Sequence, residues 1–127
     1  MNTSFRDLLV WKKADGLAHK VFDISDTFPS KYDHDLTDQL KRSALSIPQK
    51  IAEGWACFRP KEALGYLNIS RRSLIQTQYL LLFAHRRNLI SEQEFNEFHK
   101  RYEEANEMLI ALIKSIRHKP FILKPVP

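Results

Sequence analysis

Lys41, Arg42, Lys50, Arg59, Lys61, Arg71, Arg72, Arg86 and Arg87 crowd the middle of the chain, opposed over residues 36–87 by Asp38, Glu53 and Glu62 alone. The whole chain holds 20 Lys and Arg against 15 Asp and Glu, a net charge of +5. The surplus therefore sits in one stretch. Cations of this kind neutralise phosphates and release counterions, so a local excess invites anionic partners. On a helical wheel of about 100° per residue, Lys61, Asn68, Arg72, Tyr79 and Arg86 fall within about 40° of one another, with Gln76 and Phe83 at the margin. A basic stripe holding amides and an aromatic ring suits a nucleic-acid backbone, and an exposed ring can stack on an unpaired base. The competing expectation is a solvated face whose arginines pair with acids of a neighbouring helix, such as Glu103 and Glu107.

Residues for bond-making chemistry are sparse. The histidines are His19, His34, His85, His99 and His118, and none stands in the Glu-x-x-His spacing that di-iron helical bundles use. Asp33-His34-Asp35 reads as loop and cap rather than metal site, because adjacent loop residues splay apart. Asp15 and His19 read as an i,i+4 surface pair. There is no glycine-rich phosphate loop, no Gly-x-Ser-x-Gly and no His-Glu-x-x-His. Glu53 is the one acid in an unusual setting, and its expected job is to accept hydrogen bonds at an interhelical or intersubunit contact. An enzyme working through Glu53 or a histidine lacks a second catalytic partner, so the expectation is a non-enzyme without metal or cofactor. Cys57, the single cysteine, permits no internal disulfide, which fits a reducing compartment, and it reads as a small buried hydrophobe. With no apolar leader and no 18-residue apolar run, the chain is expected to be soluble and cytoplasmic, away from membranes.

The elements that must carry these residues are helical. Three glycines in 127 residues and the lack of hairpin dipeptides argue against strands. Helices are expected over about 5–28, 36–58, 60–88 and 92–118. Ser4 and Asp7 suggest a capping box at the first, followed by the seam Val10, Ala14, Leu17, Val21, Ile24 and Phe28. Asp35 and Asp38 suggest the start of the second, with seam residues Leu36, Leu40, Ser43 or Ala44, Ile47, Ile51, Trp55 and Phe58. Pro60 suits the first turn of the third, and Glu62 adds a favourable charge there. Ser91 and Glu94 form a capping box ahead of Phe95, Phe98, Tyr102, Ala105, Leu109, Leu112 and Ile116. The architecture expected is all-α: an antiparallel up-down-up-down four-helix bundle over residues 1–118, with 119–127 as an extended proline-rich tail.

Two local features leave alternatives open. Pro48 removes the hydrogen bond to the Ala44 carbonyl, so it either kinks the second helix or splits it. The third helix has a core face of Ala63, Leu67, Ser70, Leu74, Thr77, Leu81 and Ala84. It also has apolar flanks, Leu64, Ile75 and Leu82 on one side and Ile69, Leu80 and Phe83 on the other. Those flanks are buried either against another subunit or by helices of the same chain.

Several motifs together resemble a known family. They are Phe5-x-x-Leu8-x-Val10-Trp11-Lys12-Lys13-Ala14, Phe28-Pro29, Leu36-Thr37-x-Gln39-Leu40, Ser43-Ala44-x-Ser46-Ile47-Pro48, Ile51-Ala52-Glu53-Gly54 and Ser73-Leu74. The chain resembles, over nearly its whole length, the four-helix bundle proteins called 23S ribosomal RNA intervening-sequence proteins. These are similar in turn to the accessory variability proteins of diversity-generating retroelements. The resemblance implies an antiparallel four-helix protomer in a barrel-like homopentamer without known enzyme activity. For the retroelement relatives it implies binding to nucleic acid and to a reverse transcriptase. Lys50 stands where the family usually has Asn, Arg72 where it has Gly, and Gln76 and Gln78 where acids are common. Each departure adds positive charge or removes negative charge.

Two functions follow as expectations. The first is a non-catalytic oligomer that binds RNA or DNA through Lys41, Arg42, Lys50, Arg59, Lys61, Arg71, Arg72, Tyr79, Arg86 and Arg87, as an accessory to a retroelement reverse transcriptase. Pro48, Ile51, Ala52, Glu53 and Gly54 would form its structural motif. The second is a protein-interaction scaffold in which the apolar flanks and the tail bind other chains.

Overall fold

A computed structural model describes residues 4–119. Four helices account for most of them: α1 (Leu9–Ser25), α2 (Asp38–Trp55), α3 (Pro60–Arg86) and α4 (Glu92–Ile116). Each packs on the next, and α4 closes back onto α1. The chain therefore runs up, down, up and down around one core. Val21, Leu40, Ile47, Ile51, Leu67, Leu74, Leu81, Tyr102 and Leu109 are all but sealed from solvent within it. The proline-rich tail lies, apart from Lys119, outside the described residues.

The helix ends follow local chemistry, and several differ from the sequence expectation. The Ser4 hydroxyl accepts the Arg6 N–H at 3.1 Å and caps only a 3-10 turn over Phe5–Asp7, with no capping box to Asp7. Leu8 is extended, so α1 opens at Leu9. Phe5 then packs its ring on the edge of Trp11, centroids 5.0 Å apart. A π-helical turn over Asp33–Thr37 leads directly into α2. There the Asp35 carboxylate accepts the Leu36 N–H at 2.5 Å instead of capping the helix. α3 ends at Arg86 because Asn88 takes a positive φ of 63°. Leu89 N–H donates to the Ala84 carbonyl and Asn88 N–H to that of His85, each at 2.9 Å, the Schellman arrangement that satisfies terminal carbonyls. The Ser91–Glu94 capping box forms in both directions, at 3.0 and 2.8 Å.

Helix α2 passes through Pro48 as one helix, which removes the reading that splits it. Its contact with α3 is a seam of small hydroxyl side chains. Ser70 donates to the Ile47 carbonyl at 2.9 Å, and Ser73 bonds Ser46 at 2.9 Å. Thr77 Oγ1 lies 2.9 Å from Ser43 Oγ and 2.8 Å from the Ser73 carbonyl. Small side chains let the two backbones approach closely, and the buried hydroxyls of Ser43, Ser70, Ser73 and Thr77 all have partners, as burial of a polar group requires. All seven residues read as the α3 core face are buried.

The Ile51-Ala52-Glu53-Gly54 motif takes its meaning from the same contact. Ile51 is fully buried. A Cβ on Gly54 would stand 3.3 Å from the Ala63 carbonyl oxygen and 3.3 Å from Leu67 Cδ2. The start of α3 leaves little room there, so a side chain at this position would need its neighbours to give by a few tenths of an ångström. The Glu53 carboxylate pairs with Lys50 of its own helix at 3.0 Å, so of the two contacts expected for it the one to α3 is not formed among the described residues.

Candidate nucleic-acid interface

Once the hydroxyl seam turns one face of α3 inward, the wheel places Lys61, Asn68, Arg72, Tyr79 and Arg86 roughly opposite, facing solvent. All five are exposed. From Lys61 to Arg86 the stripe runs about 37 Å at 1.5 Å per residue. Arg71 and Arg87 flank it, and Arg59 lies just before α3, all three exposed.

The cations divide into engaged and available groups. Lys41 Nζ bonds Asp26 at 2.6 Å and sits 5.2 Å from the Phe22 ring centroid. Lys50 bonds Glu53 at 3.0 Å and lies 5.7 Å from the Tyr66 ring centroid. Arg42 pairs with Asp38 at 2.6 Å, one turn away on the same helix. Arg87 reaches the Tyr32 hydroxyl at 3.4 Å. Arg59, Lys61, Arg71, Arg72 and Arg86 make no ion pair among the described residues. The acids named as partners for the stripe do not meet it: Glu103 instead accepts from Gln78 at 2.9 Å.

Other acids are occupied on the far side of the bundle. Glu104 faces Lys13 at 3.7 Å, and Glu97 pairs with Arg101 at 2.6 Å. The hydrogen bond and charge of Arg101 hold the Glu97 carboxyl below the usual carboxylate range. Cations without ion pairs therefore line α3, while α1 and α4 carry a mixture of paired and unpaired charges of both signs.

Apolar groups share the α3 face. Ile75, Tyr79, Leu82 and Phe83 are 47, 59, 37 and 40% exposed. Their flank partners Leu64, Ile69 and Leu80 are partly or fully covered within the chain. The apolar flanks therefore resolve unevenly, with the C-terminal half of α3 left open. There Tyr79 and Phe83 stand 6.5 Å apart, centroid to centroid, with ring planes inclined at 54°. They line a groove with Tyr32, Asp35, Leu36, Gln39, Leu80 and Arg87. A second depression beside it is lined by Tyr79, Leu82, Phe83, Arg86 and Arg87. The contribution of Tyr32, Asp35 and Gln39, delivered by the turns before α2 and by its first turn, is absent from the sequence reading.

The histidines and the cysteine have local roles. His85 Nδ1 lies 3.2 Å from the Ile90 carbonyl, and its ring stacks on Phe95 at 5.0 Å. His19 faces Asp15 at 3.7 Å on the surface. Cys57 is half-buried, not sealed in the core, and its Sγ donates to the Glu53 carbonyl at 3.5 Å. Among the described residues no three His, Cys, Asp or Glu side chains gather as a metal site, and no helix is long and apolar enough to cross a membrane.

Fold and surface together define an antiparallel four-helix bundle with a basic row along α3. A similar fold occurs in the crystal structure of a protein of unknown function, from the S23 ribosomal protein family of Bacteroides thetaiotaomicron. That structure matches with a TM-score of 0.77 and 22% identity over 84% of this chain and 96% of that one. The model of the 23S rRNA-intervening sequence protein family matches residues 6–111, and the chain belongs to that family. No curated protein matches it.

Proposed function

We propose that this chain is a non-catalytic helical protein that binds RNA or DNA through the basic face of α3 and the adjoining α2–α3 turn. The observation that carries the reading is the set of Arg59, Lys61, Arg71, Arg72 and Arg86. All are exposed and without ion pairs among the described residues, and Glu62 is the one acid on α3 beside them. Unpaired exposed cations keep their full charge for phosphates, whereas Lys41 and Lys50 would first have to give up Asp26 and Glu53. The core of the interface is therefore narrower than the sequence reading, with Lys41, Arg42 and Lys50 at its edge. Association of several copies would multiply a stripe that is short on one protomer. The homopentamer and the reverse transcriptase partner belong to this proposal through the family resemblance.

Fluorescence anisotropy with single- and double-stranded RNA and DNA across a salt series tests it. Affinity should fall linearly with salt on logarithmic axes. Arg72→Gln and Arg86→Gln should each weaken binding and lower the slope by about one per lost phosphate contact. An absence of binding to all four nucleic acids at low salt refutes it.

A further inference from the structure

We propose that the groove at the C-terminal end of α3, lined by Tyr79 and Phe83 together with Tyr32, Asp35, Gln39 and Arg87, seats an unpaired nucleobase. On that account the ligand of the basic face is single-stranded nucleic acid. This inference rests on the nucleic-acid reading above and adds to it a place and a strand state.

Three observations converge on the groove. The first is ring exposure: Tyr79 and Phe83 are 59 and 40% exposed, although neither ring fills a gap in the core. Large aromatic rings left open to water supply π-faces on which bases of any sequence stack. The rings are inclined at 54° and 6.5 Å apart. That arrangement cannot clamp a base between parallel faces, so each ring offers one free face. A strand laid along α3 meets them one after the other.

The second observation is charge. Arg86 lines the depression beside Phe83 and makes no ion pair among the described residues. Arg87 lines both concavities, and its guanidinium is held towards the groove by the Tyr32 hydroxyl at 3.4 Å. Phosphates on either side of a stacked base would fall to these two guanidinium groups, which match phosphate oxygens in pairs. An apolar protein helix seated on the same rings would leave both charges without partners.

The third is the polar wall. Gln39 and Asp35 line the same groove, supplying an amide and a carboxylate to base edges that in a duplex are already spent on Watson–Crick partners. A duplex keeps its base faces inside the stack, so neither rings nor wall could be used without unstacking it.

Tyr79→Ala, Phe83→Ala and Tyr79→Phe provide the test, with folding checked by circular dichroism. Each variant is titrated with a labelled RNA oligonucleotide alone and annealed to its complement, and its mass is read by native mass spectrometry. Wild type should bind the unpaired strand more tightly than the duplex. Each alanine variant should lose about 5- to 150-fold on the unpaired strand, with duplex affinity and salt slope unchanged, and Tyr79→Phe should retain binding. If the alanine variants bind both forms like wild type while Arg72→Gln still weakens both, this inference falls and the basic-face reading survives. If no nucleic acid binds, both fall. If the alanine variants lose binding to both forms equally and change the mass of the assembly, the face is a contact between copies and the inference is overturned.

Discussion

Tyr102 is fully buried at the centre of α4, and its hydroxyl has no hydrogen-bond partner among the described residues. The carboxamide oxygen of Asn106, one turn further along, is equally isolated. A buried hydroxyl without a partner costs about 1–3 kcal/mol in lost hydration. Tyr102→Phe removes that oxygen while keeping the ring and its stacking on Phe98, centroids 6.5 Å apart. The exchange should raise stability by about 1–2 kcal/mol, the reverse of the usual sign for a core substitution. At about 4 °C per kcal/mol for a domain of this length, Tm should rise by about 4–8 °C. Urea denaturation followed at 222 nm should show a higher midpoint with an unchanged slope. The pH dependence gives an independent check. Burial pushes the Tyr102 phenol well above its ordinary value near 10. Above pH 10 the unfolded chain therefore loses this proton while the folded chain keeps it, and wild-type stability falls as pH rises. The phenylalanine variant lacks that loss, so its advantage should widen by about 1.4 kcal/mol between pH 9 and pH 11. A lower urea midpoint for the variant would refute the reasoning, because it would mean that the hydroxyl is hydrogen-bonded after all.

Two further substitutions test the local readings. Ser91→Ala removes the side chain that caps α4 through Glu94 N–H at 3.0 Å; it should cost about 1 kcal/mol in denaturant titration with no change in nucleic-acid affinity. Gly54→Val places methyl groups beyond a Cβ already 3.3 Å from Leu67 Cδ2 and the Ala63 carbonyl oxygen. It should cost about 1–3 kcal/mol by overpacking, which the small gain in helix propensity only partly offsets, and calorimetry should show a lower Tm.

The buried face of α3 was legible in advance because its period is strict and its hydroxyls fall on the apolar side. The capping box of Ser91 was legible for a similar reason, since both partners lie within four residues. Helix starts fared worse where short polar residues had rival uses. Ser4 turned to a 3-10 turn, and Asp35 to the Leu36 amide, because both offers lie within two residues of the cap they were expected to make. The basic character of residues 41–87 was also plain, but segment charges conceal pairs. Lys50 with Glu53 and Arg42 with Asp38 were readable from spacing alone. Lys41 with Asp26 was not, because that bond crosses from α2 to the end of α1. Nor could the sequence place Tyr32 and Gln39 beside Phe83, since that neighbourhood exists only after the turns before α2 fold over the end of α3.

The hydroxyl seam has a consequence for how α2 and α3 can move. Rows of interchangeable alkyl groups tolerate slippage by a turn, because one leucine fits much like the next. Displacing α3 by one turn, about 5.4 Å, would instead break the bonds of Ser70 to the Ile47 carbonyl and of Ser73 to Ser46, while Thr77 keeps its bond to the Ser73 carbonyl of its own helix. At about 0.5–1.5 kcal/mol for each bond lost, such sliding would cost about 1–3 kcal/mol, a noticeable share of the stability of an ordinary domain. The two rods therefore favour a single axial alignment, which fixes where Lys41, Arg42 and Lys50 of α2 stand along the row from Arg59 to Arg86.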